Sequence, residues 1–290
     1  MHGLRRPEPV ETLHLYAGER EILLELLPSL DEAAWERPTP CPGWSVRDVA
    51  VHLLADDLGV LSRHRDEFRP QSPRADETLG VFLARINDEW VQATRRLSGR
   101  VIVDLVRWAG EQTLAHWSGL DLMALGGPVS WAGPGPAPRW LDVAREYTEH
   151  WVHQQQIREA VGRPLLEEAR WIGPVLATFV RALPHTFRTV DAPAGTTVTL
   201  AIDGEGGGVW SVVRAECQAD ERSDTRAWGL FVSRPRPPDE PPAAEVRMRT
   251  DTAWRLFTKG ITPDEAAARA TLSGDQALAR HLLTAVAIIA

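Results

Sequence analysis

Lysine is nearly missing from this sequence: Lys259 is the single example among 32 basic residues, and the other positive charges are arginines. That scarcity argues against a lysine-bearing phosphate loop, so the glycine-rich DGEGGG stretch at 203–208 reads as a turn. Cysteine is equally thin. Cys41 and Cys217 are too few, and lie in regions too different, for a disulfide framework, which points to a reducing interior. No charged-then-apolar leader opens the sequence and no apolar run is long enough to cross a bilayer, so a cytoplasmic location is expected. An excess of positive charge is also absent. The formal net charge is −8 and the pI is near 5.6, which gives no long-range attraction to nucleic acid or to an anionic membrane surface.

What is present is ample apolar material, 43% of 290 residues, in a chain longer than one hydrophobic core usually serves. Two domains are therefore expected, at 1–164 and 165–290. In the first, apolar residues at helical spacing predict helices over about Leu13–Leu30, Val46–Val60, Glu77–Leu97 and Trp140–Val161. Ser45 is placed to cap the second of them and Gly162 with Pro164 to stop the last. The segment Val101–Trp117 fits strand and helix equally. WERPTPCPGW (Trp35–Trp44) and Gly119–Pro138 are proline- and glycine-laden connections, the longer of which could roof a site. Four helices of this kind predict a bundle.

Beyond Pro164 the character changes. A helix over about Leu166–Leu183 precedes Thr196–Ile202 and Val209–Glu216, two β-branched runs that read as a hairpin. Trp228–Val232 and Glu245–Met248 are further strand candidates, the proline-rich PRPPDEPP lies between them, and helices over about Asp251–Leu256 and Gln276–Ile289 close an α+β domain. The twelve tryptophans are accounted for mainly as core residues.

Chemistry concentrates in the first domain. His52 shares a core-facing stripe with Val49 and Asp56, and Glu149 and His153 are one turn apart on a single helix face. A carboxylate and two imidazoles are expensive to bury without compensation. They are also the protein ligands of a divalent metal site that keeps one position open. The pair Glu146 and His150 has the same spacing and offers an alternative register. Asp56 and Gln156, each one turn past a candidate histidine, are placed to orient the imidazoles.

Three stretches, PCPGWSVRDVAVHL (Pro40–Leu53), INDEW (Ile86–Trp90) and EYTEHWVHQQQIREAVGRP (Glu146–Pro164), resemble the mycothiol-dependent maleylpyruvate isomerase family, a branch of the DinB-like metal-binding bundles. The C-terminal stretches VRMRTDTAWRLFTKGITPDEA and TLSGDQALARHLLTAVAIIA resemble that family's second domain, related to sterol-carrier-like α+β modules. The resemblance implies an N-terminal DinB-like four-helix bundle, a smaller sterol-carrier-like domain, and a divalent metal, commonly zinc, on His52, Glu149 and His153. It implies mycothiol as cofactor and a small electrophile as substrate, with an arginine of the second domain assisting; Arg269 and Arg280 are the candidates. Relatives often carry an aspartate after the second histidine, where this chain has Gln154–Gln156.

The expected activity is isomerisation of a maleylpyruvate-like acid or transfer of the thiol. Two other readings stay open on the residues alone: a metal-dependent hydrolase using a metal-bound water, with Asp56 or Glu146 as base, and a non-catalytic binder of a small ligand. Cys41 reads as a small buried side chain rather than a nucleophile. The acidic residues Asp251, Asp264, Glu265 and Asp275 read as helix-start charges.

Overall fold

A computed structural model of the chain describes residues 4–215, 228–233 and 241–288; Cys217 and most of the PRPPDEPP segment lie outside them. The chain forms two compact units that interleave along the sequence. One is helical and comprises Glu11–Ala124 and Val143–Leu166; the other comprises Met1–Val10, Leu125–Asp142 and Glu167–Ile288 and contains the sheet.

In the helical unit the elements are α1 (Tyr16–Leu26), the short α2 (Glu32–Trp35), α3 (Val46–Val60), α4 (Leu79–Thr94), α5 (Gly99–Ser118) and most of α6 (Arg139–Ala160). The apolar stretch around α1 ends in 3₁₀ turns at Leu13–Leu15 and Leu27–Ser29, where Pro28 removes a backbone donor. Ser45 caps α3 as its sequence suggests. Its hydroxyl accepts from the Asp48 amide while the Asp48 carboxylate accepts from the Ser45 amide, so two otherwise unpaired donors are satisfied together. The segment that fitted both strand and helix is the 20-residue α5. Its buried residues Ile102, Val106, Ala109, Thr113 and Trp117 recur at helical spacing, and α3 is its main packing partner. Leu23, Leu27, Val49, Leu53, Val91, Ile102, Val106 and Ile157 meet in one core drawn from α1, α3, α4, α5 and α6.

The second unit carries β1 (Leu4–Arg5), α7 (Ala169–Phe179), α8 (Leu183–Thr186), β2 (Thr197–Asp203), β3 (Gly208–Arg214), β4 (Trp228–Ser233), β5 (Ala244–Arg249), α9 (Thr250–Phe257), α10 (Pro263–Ala268), β6 (Thr271–Gly274) and α11 (Gln276–Leu282). The strands form one sheet in the order β1-β4-β3-β2-β5-β6. β2 and β3 are the hairpin that the β-branched runs predict, with Leu200 opposite Trp210. β2 and β5 run parallel, Leu200 opposite Val246, while the other pairs are antiparallel. The closing helix is shorter than its pattern, ending at Leu282, and the two-residue β1 and four-residue β6 are too short to leave a periodic signal. No helix among the described residues is long and apolar enough to cross a membrane.

Candidate metal centre

α3 and α6 bring the candidate ligands together. His52 Nε2 lies 3.4 Å from Glu149 Oε1, and His153 Nε2 lies 3.0 Å from the same oxygen. The two imidazole rings meet edge to face with centroids 4.7 Å apart. Among the described residues these three side chains gather their ligand atoms within 4.8 Å of one another. Ligands about 2.0–2.2 Å from a tetrahedral ion stand roughly 3.3–3.6 Å from each other, so the 3.4 Å contact matches an edge around one cation and the 3.0 Å contact is slightly shorter than one. His52 is 4% exposed, buried by the core of α3, while Glu149 and His153 remain partly open.

The surroundings fit the donor set. His52 Nδ1 and Asp56 Oδ2 are both buried without a hydrogen-bond partner, and Asp56 Oδ2 lies 3.4 Å from His52 Nε2. Asp56 therefore approaches the nitrogen that faces Glu149, sharing the ligand side of the ring; an i, i+4 carboxylate reaches the tip of an imidazole on the same helix face. Gln156 does lie on the far side of His153, accepting at Oε1 from Nδ1 at 2.7 Å. That bond puts a proton on Nδ1 and aims Nε2 at Glu149, the carboxylate to which the charged imidazolium donates and the side from which a cation would be ligated. The Cys41 thiol donates to the same Gln156 oxygen at 2.9 Å and stands 3.9 Å from His153 Nδ1. Trp44 packs against the His52 ring at 5.0 Å. Both Cys41 and Trp44 come from the proline-bounded loop before α3, held by Thr39 accepting from Cys41 and donating to the Trp44 carbonyl.

Burial opposes charge on Glu149, but hydrogen bonds from His153 and His52 overcome it and hold the carboxyl well below its ordinary range. Burial likewise disfavours charge on His153, and its contacts with Cys41 and Glu149 reverse that, holding the imidazole well above its ordinary value. For Asp56, burial dominates and raises the carboxyl despite the neighbouring His52.

The alternative register has a different fate. Glu146 is paired with Arg145, and His150 is enclosed by α1 and α3. Arg20 reaches Asp57 at 2.8 Å and His150 Nδ1 at 3.2 Å, His150 Nε2 lies 3.4 Å from Asp57, and Gln154 donates to Glu19 beside them. Sequence reasoning missed this network, although Arg20 among the apolar positions of α1 was a visible sign of it. Arg269 ends α10 and Arg280 lies on α11, 3.9 Å from Asp264; both are exposed and belong to the sheet unit.

Residues 16–158 match the family described as mycothiol maleylpyruvate isomerase N-terminal domain. Two uncharacterized proteins of Mycobacterium tuberculosis, from strains CDC 1551 / Oshkosh and ATCC 25618 / H37Rv, are each 25% identical over 201 residues, 67% of this chain and 73% of theirs. The crystal structure of a mycothiol-dependent maleylpyruvate isomerase aligns with a TM-score of 0.51 at 13% identity, and that of a histidine-to-alanine mutant with 0.52 at 11%; each alignment covers 92% of this chain and 93% of the other. At such identities the likeness is one of fold: helical first, sheet-containing after.

Proposed function

Because residues 16–158 belong to the mycothiol maleylpyruvate isomerase N-terminal domain family, we propose that this protein is a metal-dependent enzyme that uses mycothiol against a small electrophile. The reaction is cis–trans isomerisation of a maleylpyruvate-like acid or transfer of the thiol, carried out in the cytoplasm without nucleic-acid or membrane partners. The observation that carries this reading is the convergence of His52, Glu149 and His153 from two helices within 4.8 Å. The DinB-like four-helix description of the helical unit and the sterol-carrier-like description of the sheet unit belong to the same reading.

His52, Glu149 and His153 would hold the cation, and two imidazoles with one carboxylate suit zinc. When bound, such an ion supplies the Lewis acidity that keeps a coordinated thiol ionised at neutral pH. The chain's own residues do the rest. Glu149 contributes one negative charge, Gln156 fixes the tautomer of His153, and Trp44 covers the ring of His52. Cys41 serves as a donor to Gln156, not as the attacking sulfur. One arginine of the sheet unit, Arg269 or Arg280, would assist by holding a substrate carboxylate through paired hydrogen bonds.

The test combines elemental analysis, calorimetry with mycothiol, and incubation of metal-loaded protein with mycothiol and maleylpyruvate. One equivalent of metal, saturable mycothiol binding and thiol-dependent formation of fumarylpyruvate are expected. Binding without turnover narrows the activity to thiol transfer; metal-loaded protein that does not bind mycothiol overturns both forms. A hydrolase reading draws on one observation, the buried Asp56 carboxylate beside His52. It requires thiol-independent hydrolysis that Asp56→Asn abolishes.

A further inference from the structure

One face of α5 is left in solvent. Val101, Leu105 and Trp108 are 42%, 37% and 49% exposed, and spacings of four and three residues stack them in a single apolar stripe. One residue ahead of each runs a charged stripe, Arg100, Asp104 and Arg107, continued by Glu111; all four are exposed. Along the helix the signs read plus, minus, plus, minus, at spacings of four, three and four.

Charges on the neighbouring α4 are used differently. There Arg85 pairs with Glu89 one turn away, and also with Glu77. On α5, Arg100 and Asp104 stand one turn apart, as do Arg107 and Glu111. Yet none of the four enters an ion pair with any described residue.

Read backwards, the charged stripe inverts its signs. Laid antiparallel on itself, it therefore meets opposite charge at every position: Arg100 opposite Glu111 and Asp104 opposite Arg107, each repeated by symmetry. Antiparallel helices related by a twofold axis also bring equal flanks together, so one stripe is enough. The stripe spans about 16 Å at 1.5 Å per residue, and the same register places Val101, Leu105 and Trp108 of both helices in the middle of the contact.

We propose that this face of α5 is an interface between two copies of this chain, paired antiparallel about a twofold axis. The occupant is a second copy because the surface is complementary to itself in both charge and apolar spacing. The inference does not depend on the reaction the protein catalyses. A single helix pair lies at the small end of protein interfaces, below roughly 1,200 Å², so association depends on protein concentration, and its ion pairs make it sensitive to salt.

Sedimentation velocity of the full chain over a concentration series, at low and high salt, tests this. A monomer–dimer equilibrium that weakens with salt is expected. Asp104→Arg and Arg107→Asp should each weaken it by roughly tenfold or more, since each places like charges opposite one another twice. The two single variants mixed together should associate with each other, and the Asp104→Arg, Arg107→Asp double variant should again associate with itself. Trp108→Ala should weaken the dimer at any salt. A chain that stays monomeric throughout overturns the proposal. So does a dimer indifferent to these substitutions, or failure of the mixed variants to associate while circular dichroism shows each one folded.

Discussion

Helix α6 carries two Glu-x-x-x-His pairs, Glu146 with His150 and Glu149 with His153, and their surroundings send them to opposite uses. His150 is 1% exposed and engaged from two sides by Arg20 and Asp57. His153 stays partly open, with one nitrogen held by Gln156 and the other turned to a carboxylate that His52 also faces. The same spacing makes a structural lock in one case and a candidate ligand face in the other. What separates them is the charge balance of the neighbouring helix. Arg20 neutralises the first cluster from within the chain, while the second sets two carboxylates, Asp56 and Glu149, around two imidazoles.

The largest effect that would break this contrast is on metal loading. His153→Ala is expected to lower metal affinity more than about a hundredfold, beyond what loss of an orienting neighbour costs, with little change in thermal stability of the metal-free protein. His150→Ala should do the reverse, lowering the unfolding temperature while keeping one equivalent of metal by elemental analysis. Equal metal loss in both would erase the distinction.

Next comes the lock itself. Asp57→Asn leaves Arg20 buried without its counter-charge, which costs about 3–5 kcal/mol in urea denaturation. Burial alone would raise the Asp57 carboxyl, but Arg20 and His150 pull it below the usual range. A carboxyl depressed in the folded state stabilises above its unfolded value, about 3.9, and loses that contribution as pH falls through the folded one. The stability gap between the wild-type chain and Asp57→Asn should therefore be full near neutrality and shrink in acid. A gap that widens in acid contradicts the assignment.

The smallest effect sharpens the ligand side. Gln156→Leu removes the acceptor that fixes the His153 tautomer, and should weaken metal binding by roughly 10–100-fold without abolishing it.

Much of this arrangement was legible in the residues. Ser45 with Asp48, and the run Val46, Val49, Leu53, forecast α3 and the inward side of His52, because capping and periodicity are local properties. The juxtaposition of α3 with α6 is not local, and came from family resemblance rather than from spacing. Two kinds of feature escaped. The segment that became α5 mixes β-branched Val101, Ile102 and Val103 with helix formers, so its state is decided by packing on α3, which no window of sequence contains. The Arg20, Asp57 and His150 cluster joins three helices, and Arg20 among the apolar positions of α1 signals a buried partner without saying which. Trp44 and Cys41 reach the His52–His153 side through a loop whose path proline and glycine permit but do not dictate.

The first strand has a bearing on how the chain acquires its shape during synthesis. Leu4 pairs with Ser233 and Arg5 with Val232, so these two residues must wait for β4, which lies far later in the chain, before they can pair. Closing so long a span delays pairing because its entropy cost comes before any contact repays it. β1 is thus expected to dock late and to fray early, and amide exchange at Leu4 and Arg5 should outpace that of Leu200 and Val212 at the centre of the same sheet.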